Sequence, residues 1–318
     1  LRVILEKNPL PFITGTICAH NCMSKCTRNF YDAPVNIRRT KLEAAEGGFE
    51  AVMADWKSPE ANLGKRAAVV GGGPAGMAAA YFLARGGVKV TVFEKAEKLG
   101  GVVRNIIPGF RISEEAIDKD VKILEAMGVE IRCSTEIRSV EEVKKDYDYV
   151  VLAVGASTPG VLKLEKGQAV NALEFLAQFK AANGAVELGE NVAVIGGGNT
   201  AMDTARAAKR NKGVKKVSLV YRRTKRYMPA DAEELEMALE DGVEFAELLS
   251  PIKAENGVLF CKKMVLGELD ESGRRGVVET EEVVEVPADT VIAAVGEKVP
   301  GDFYEANGIA LDSRGRLQ

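Results

Sequence analysis

Apolar positions between residues 65 and 318 fall into short continuous blocks rather than alternating ones. The blocks AAVV (67–70), VTVF (90–93), VVLAV (150–154), VAVI (192–195), VSLVY (217–221) and VIAAV (291–295) have the pattern of parallel strands covered on both faces. Ala-rich segments of helical spacing follow two of them, PAGMAAAYFLAR (74–85) and NTAMDTARAAKR (199–210), and a charged amphipathic stretch, SEEAIDKDVKILEAMG (113–128), lies between. The order strand, glycine turn, helix, glycine, strand occurs at 66–95 and again at 191–223. This predicts an α/β chain with two Rossmann-like dinucleotide-binding units. From about 252 to 286, β-branched runs around Asn256-Gly257 predict antiparallel hairpins.

The first 54 residues differ. Stretches such as NIRRTKLEAAEGGF (36–49) are helical in pattern and no run has strand character, while DWKSPEANLGK (55–65) breaks any helix and marks a boundary. A small α-helical domain preceding the α/β units is expected.

Composition narrows the function. The 318 residues carry a formal charge of -3, which gives neither the basic footprint of a nucleic-acid binder nor a polybasic membrane patch. No apolar run approaches the roughly 18 residues of a membrane span, and no signal peptide is apparent, so a cytoplasmic location is expected. The chain begins with Leu1, which suggests a piece of something longer. Five cysteines, an odd number, argue against a disulfide framework.

In VVGGGPAG, Gly71, Gly73 and Gly76 satisfy GxGxxG directly after a strand and before a helix. The glycines permit the turn, the approach of a pyrophosphate and close helix packing, and the helix N-terminus supplies N–H groups to the phosphates. Glu94, at the end of the next strand, is placed to accept both ribose hydroxyls. The second turn, GGGNTA, offers Gly196, Gly198 and Ala201, but its following strand ends in Tyr221-Arg222-Arg223. Two guanidinium groups suit a 2'-phosphate, hence NADPH in preference to NADH; the alternative is a solvated basic turn. Two dinucleotide sites suggest a flavin plus a nicotinamide. No acid/base or nucleophile constellation is evident, and His20 is the only histidine.

Cys18, Cys22 and Cys26 recur every four residues, a spacing that shares a face if the segment is helical. Three thiolates supply three ligands of a cluster that takes four. Structural zinc fits less well without C-x2-C pairs, and free buried thiols are the remaining option. Cys133 and Cys261 stand alone near predicted strands and are expected in the core.

Together, VVGGGPAGMAAAYFLARGGVKVTVFEK, LGGVVRNIIPGFRI, VIGGGNTAMDTAR and VYRRTKRYMPADAEELEMALEDGVEF resemble the glutamate synthase small-subunit family of FAD-dependent, NAD(P)H-oxidising iron-sulfur oxidoreductases. Within it, TGTIC, CTR, YD and NIR are most similar to the iron-sulfur flavoprotein subunit associated with selenate reductase. The resemblance implies a helical iron-sulfur domain (1–64), an FAD domain (65–156 and 288–318) and an NAD(P)H domain (157–287) inserted into it. It places Gly71, Gly73, Pro74, Ala75, Gly76, Glu94, Lys95, Gly101, Val102 and Arg111 at FAD. Gly196, Gly198, Asn199, Thr200, Ala201, Arg222 and Arg223 fall at NADPH, or NADH, with Asp203 and Met228-Pro229 as lesser candidates. Cys18, Cys22 and Cys26 fall at a [4Fe-4S] cluster. It also implies a catalytic partner subunit or domain that accepts the electrons.

Two departures bear on that transfer. The family's Gly-Asp pair at the flavin lies beyond Gln318, so weakened FAD binding is expected. The cysteine spacing is C-x3-C-x3-C rather than C-x5-C-x3-C, further family cysteines would lie upstream of Leu1, and Lys41 stands where a fourth ligand would fall, with Glu43 two residues on. A thioredoxin-reductase-like enzyme would need a C-x-x-C, which the sequence lacks. A non-catalytic binding or assembly domain on this fold remains the alternative.

Overall fold

The computed structural model describes residues 1–269, 275–312 and 315–316. It divides into two compact units, one of residues 1–156 with 299–318, the other of residues 157–298. The second is thus inserted in the sequence of the first.

In the first unit, strands β1 (Arg66–Val70), β2 (Lys89–Phe93), β3 (Glu130–Arg132) and β4 (Tyr149–Leu152) form a parallel sheet of order β3-β2-β1-β4. Four of the five residues in β1 and in β2 are buried, which is why their sequences are continuous apolar runs. The helix Pro74–Arg85 starts with Pro at its first position, where no N–H is required, and its C-terminal glycines include Gly87 at φ +83°.

The N-terminal residues are helical as expected, with helices at Pro11–Ile17 and Ile37–Ala54, but they form no separate domain. Phe12, Ile13, Ala45, Phe49 and Val52 share one apolar cluster with Met77, Val92, Ile117 and Leu124 of the α/β part. A segment this short cannot bury enough apolar surface alone, and each large side chain gains about 1.5–3 kcal/mol by burial against the sheet helices. The rings of Phe12 and Phe49 meet edge to face at 5.3 Å. Asp120, fully buried on the helix Glu114–Ala126, accepts hydrogen bonds from the N–H groups of Phe12 (3.2 Å) and Ile13 (2.7 Å). It thereby caps the helix Pro11–Ile17, whose N-cap residue Leu10 supplies no side-chain acceptor.

The second unit holds a five-stranded parallel sheet. Strands β5 (Val170–Asn171), β6 (Asn191–Ile195), β7 (Lys216–Tyr221), β8 (Glu244–Glu247) and, later in the chain, Thr290–Ala293 take the order β5, Thr290–Ala293, β6, β7, β8. Strands Leu249–Glu255, Val258–Leu269 and Arg275–Pro287 form the expected antiparallel meander; part of the charged, Gly-rich stretch between the last two lies outside the described residues.

The placement of Thr290–Ala293 corrects a domain boundary. The family resemblance puts 288–298 with the first unit; instead Thr290–Ala293 pairs with β6, from Thr290–Val192 to Ala293–Ile195, and 288–298 falls in the second unit, although VIAAVG and YVVLAVG are alike in sequence. The two segments are alike because they occupy equivalent places in different sheets. Each lies beside the strand that runs into a glycine turn, β4 beside β1 and Thr290–Ala293 beside β6. Among the described residues, no helix is long and apolar enough to cross a membrane.

Candidate functional site

The first glycine turn is closed by backbone. Gly71 has φ +107°, and a Cβ there would lie 2.3 Å from the Ala153 carbonyl oxygen at the end of β4; a Cβ on Gly76 would lie 1.9 Å from the Gly71 oxygen. The helix Pro74–Arg85 therefore starts close enough to direct its first-turn N–H groups along the turn. The loop 99–101 abuts the same turn: Gly100 N–H donates to Gly72 O at 2.8 Å, and a Cβ on Gly101 would be 2.8 Å from Gly73 Cα. Arg104, buried, fixes this loop by donating to Leu99 O and pairing with Glu114 and with Asp118, the latter at 2.6 Å.

Glu94 is buried beneath the turn, where one carboxylate oxygen accepts from Gly72 N (2.7 Å) and the other from Ala96 N (2.8 Å). Each oxygen keeps a further lone pair, so the group braces the turn and retains acceptor capacity. Ala75, Lys95 and Val102 are exposed, whereas Gly73, Pro74, Gly101 and Arg111 are partly buried. The glycine backbone, the helix N-terminus and the carboxylate together fit the pyrophosphate and ribose of a dinucleotide.

The second turn repeats this construction. Gly196 has φ +155°, and its Cβ would lie 2.4 Å from the Ala294 oxygen. Ala201, fully buried, packs beneath it. The Tyr221 ring lies against Gly197, whose Cβ would meet Cε2 at 2.4 Å, and its hydroxyl donates to Tyr227 O at 2.9 Å. Ala230 N–H donates to Gly197 O (3.0 Å), and Asp231 N–H donates to Asn199 Oδ1 (3.0 Å), which ties the 227–231 loop over the turn.

A cavity of about 580 Å³ opens at this turn, lined by Gly196, Gly198, Thr200, Arg222, Arg223 and Pro229 together with residues including Lys163, Pro251 and Glu297. Six residues singled out in the sequence, Pro229 among them, thus meet at one cavity. Asn199 directs its side chain to Asp231 instead, and Ala201 and Asp203 are buried in the helix Asn199–Arg210. Arg222 is exposed, whereas Arg223 Nε donates to Arg275 O at 2.9 Å. On the same helix, Arg206 (2.7 Å) and Arg210 pair with Asp241; burial works to raise the Asp241 carboxyl, but the hydrogen bonds from Arg210 and Arg206 hold it below its ordinary range.

The cysteine segment departs from expectation. Cys18 is extended at the end of Pro11–Ile17, His20 takes a left-handed conformation at φ +36°, exposed Cys22 lies in the four-residue helix Asn21–Ser24, and Cys26 is again extended. The helix is interrupted between each pair of cysteines, so no common helical face exists. Among the described residues, no group of three or more His, Cys, Asp or Glu side chains is placed to hold a metal ion. As arranged, Cys18, Cys22 and Cys26 do not fit a [4Fe-4S] cluster. Backbone hydrogen bonds to the Cys26 sulfur from Val35 and Arg28 hold its thiol below the ordinary range. Cys261 is buried and its thiol is pushed up to about 12 by that burial; half-buried Cys133 is raised for the same reason.

Arg104 and Asp120 escaped the sequence reading. Asp120 had a signal: it falls on the stripe Ile117, Ile123, Leu124 of an amphipathic helix, where a carboxylate needs buried donors. Arg104 had only its isolation in an apolar loop.

Two parallel sheets, each feeding a glycine turn and a helix, define a two-dinucleotide α/β protein. The chain belongs to the pyridine nucleotide-disulphide oxidoreductase family, whose family model matches residues 65–318. It is 45% identical over 323 residues to YgfK of Escherichia coli (strain K12), an oxidoreductase by name, covering 99% of this chain and 31% of that protein. The chain thus spans under a third of that relative's length. It is 35% identical over 340 residues to the glutamate synthase [NADPH] small chain of the same strain, covering 98% of this chain and 71% of that one. The expected resemblance to the glutamate synthase small subunit holds. Among solved structures, Mycobacterium tuberculosis FprA in complex with NADPH matches with a TM-score of 0.67 at 20% identity, over 80% of this chain and 76% of that chain, which shows a common fold.

Proposed function

We propose that the chain is an NADPH-oxidising flavoprotein module that delivers electrons to a catalytic partner subunit or domain. The observation that carries this is the contrast between two turns of the same construction, one braced by buried Glu94 and the other opening onto a cavity lined by Arg222 and Arg223. FAD at the first turn and NADPH at the second, when bound, supply hydride transfer and the change from two-electron to one-electron chemistry. The chain's own residues bind and orient. The 71–76 turn and its helix receive a pyrophosphate, Glu94 accepts from a ribose, and Arg104 keeps the 99–101 loop against the turn. At the second turn, Gly196, Gly198 and Thr200 line the nucleotide site, and Arg222 with Arg223 selects a 2'-phosphate.

A [4Fe-4S] role for Cys18, Cys22 and Cys26 rests on the resemblance alone, and no electron step is assigned to them. The terminal chemistry belongs to the partner. Replacing Arg222 and Arg223 together by Ala tests the reading: the Kd for NADPH should rise about 10–100-fold, as expected for one or two charge-assisted bonds of roughly 1.5–3 kcal/mol. The Kd for NADH should change less than about threefold. Equal effects on both coenzymes would refute the assignment.

A further inference from the structure

Phe30 and Tyr31 are 86% and 88% exposed, and nearby Val35 is 42% exposed. Adjacent aromatic rings left this bare forgo the stabilisation that burial supplies, and aromatic residues are enriched at protein interfaces. The turn that presents them is built. Arg28 pairs with Asp32, Asp32 N–H donates to Arg28 O at 3.0 Å, and Asn29 Nδ2 donates to Met23 O at 2.9 Å. The Cys26 sulfur is hydrogen-bonded to the backbone of Val35 and Arg28, which joins the two ends of the loop.

The charge around these rings has a sign opposite to that of the whole. Residues 18–43 carry five Lys and Arg side chains against Asp32 and Glu43, in a chain of formal net charge -3. Asp32 and Glu43 are spent on Arg28 and Arg39, the latter pair at 2.8 Å. Lys25 and Lys41 add positive charge to this face, and Arg38 donates to Cys18 O at 3.2 Å. Apolar rings in a basic field complement an acidic protein surface with an apolar recess: the rings supply the desolvated anchors, and the charges speed and orient the encounter.

We propose that the 18–43 face, anchored by Phe30 and Tyr31, is the docking surface for an acidic protein, the electron-accepting partner of the module. This deepens the proposed function and rests on it for the partner's role, while the surface itself rests on exposure and charge. The probe is an acidic [2Fe-2S] ferredoxin titrated into the full chain at about 20 mM and about 300 mM salt, with NADPH binding measured in parallel. Ferredoxin should bind at low salt and weaken at least tenfold at high salt. Phe30→Ser/Tyr31→Ser and Lys25→Glu/Lys41→Glu should each weaken it at least tenfold at low salt, with NADPH affinity unchanged. No binding at low salt, or binding indifferent to both variants, overturns the proposal. So does binding to phosphatidylserine vesicles in place of ferredoxin. Loss of NADPH binding in the unaltered chain would instead overturn the electron-input reading, a result separable from the docking titration.

Discussion

Gly71 rests against the carbonyl of Ala153 and Gly196 against that of Ala294, with an added Cβ falling 2.3 and 2.4 Å from those oxygens. The two nucleotide turns are therefore the same steric object, made by a neighbouring strand that ends in Ala-Val-Gly. Beyond the turns they part. The first places a carboxylate under the glycines, bonded to two backbone N–H groups, and the second places guanidinium groups at the edge of a cavity. Fold is set by the shared part, and the proposed choice of ligand rests on the part that differs.

The largest effect should come from striking the shared part. Gly71→Ala and Gly196→Ala each force a methyl group into a carbonyl at a backbone angle that suits glycine. Each should cost about 3 kcal/mol or more in chemical denaturation, or prevent folding. A cost under about 1 kcal/mol at either position would mean that the two turns are not sterically equivalent.

A second contrast concerns buried carboxylates. Asp120 of the first unit accepts from the Phe12 and Ile13 N–H groups, and burial pushes its carboxyl up to about 7. The folded state then retains a proton that the unfolded chain gives up near 3.8. The contribution of Asp120 to stability is thus fullest below about pH 4 and is lost as pH rises through 7. Asp241 of the second unit, held low by Arg210 and Arg206, has the opposite sign: its contribution is present above the ordinary Asp range and lost as pH falls. Denaturation from pH 4 to 8 should show Asp120→Asn removing a decline of about 2–4 kcal/mol, at about 1.4 kcal/mol per pH unit. Asp241→Asn should flatten the acid limb instead. Identical profiles for the two variants would erase the contrast.

A finer probe of the difference between the turns is Glu94→Gln. An amide supplies one acceptor oxygen where two backbone N–H groups need one each, and it turns an NH2 toward the other. A loss of about 1–2 kcal/mol is expected, with weaker flavin binding and NADPH affinity unchanged. If NADPH affinity fell equally, the assignment of the two turns to different nucleotides would lose its basis.

Much of this was legible in the sequence because continuous apolar blocks and glycine spacing report directly on buried parallel strands and close backbone approach. The expectation failed where two segments had the same local pattern. VIAAVG and YVVLAVG are interchangeable by composition, and only strand pairing shows that the former serves the second sheet. The cysteine spacing misled in a similar way: a period of four implies a helical face, but the left-handed His20 and the extended Cys26 break the helix that the period presumes. The fused N-terminal core was invisible for another reason. A helix pattern tells which face is apolar and not what covers it, and here the cover for Phe12 and Phe49 comes from the helices of the first sheet.

The late strand of the second sheet also sets the order in which the molecule can be made. Asp289 receives the N–H of Glu190, 99 positions earlier, and the strand that follows it closes the flank of β6. Until a ribosome has released that stretch, β6 has an open edge and the Gly196 turn has no Ala294 carbonyl to rest against. The cavity at that turn is therefore among the last parts of the second unit to take shape during synthesis, and the nascent chain must keep an apolar strand edge from other partners until then.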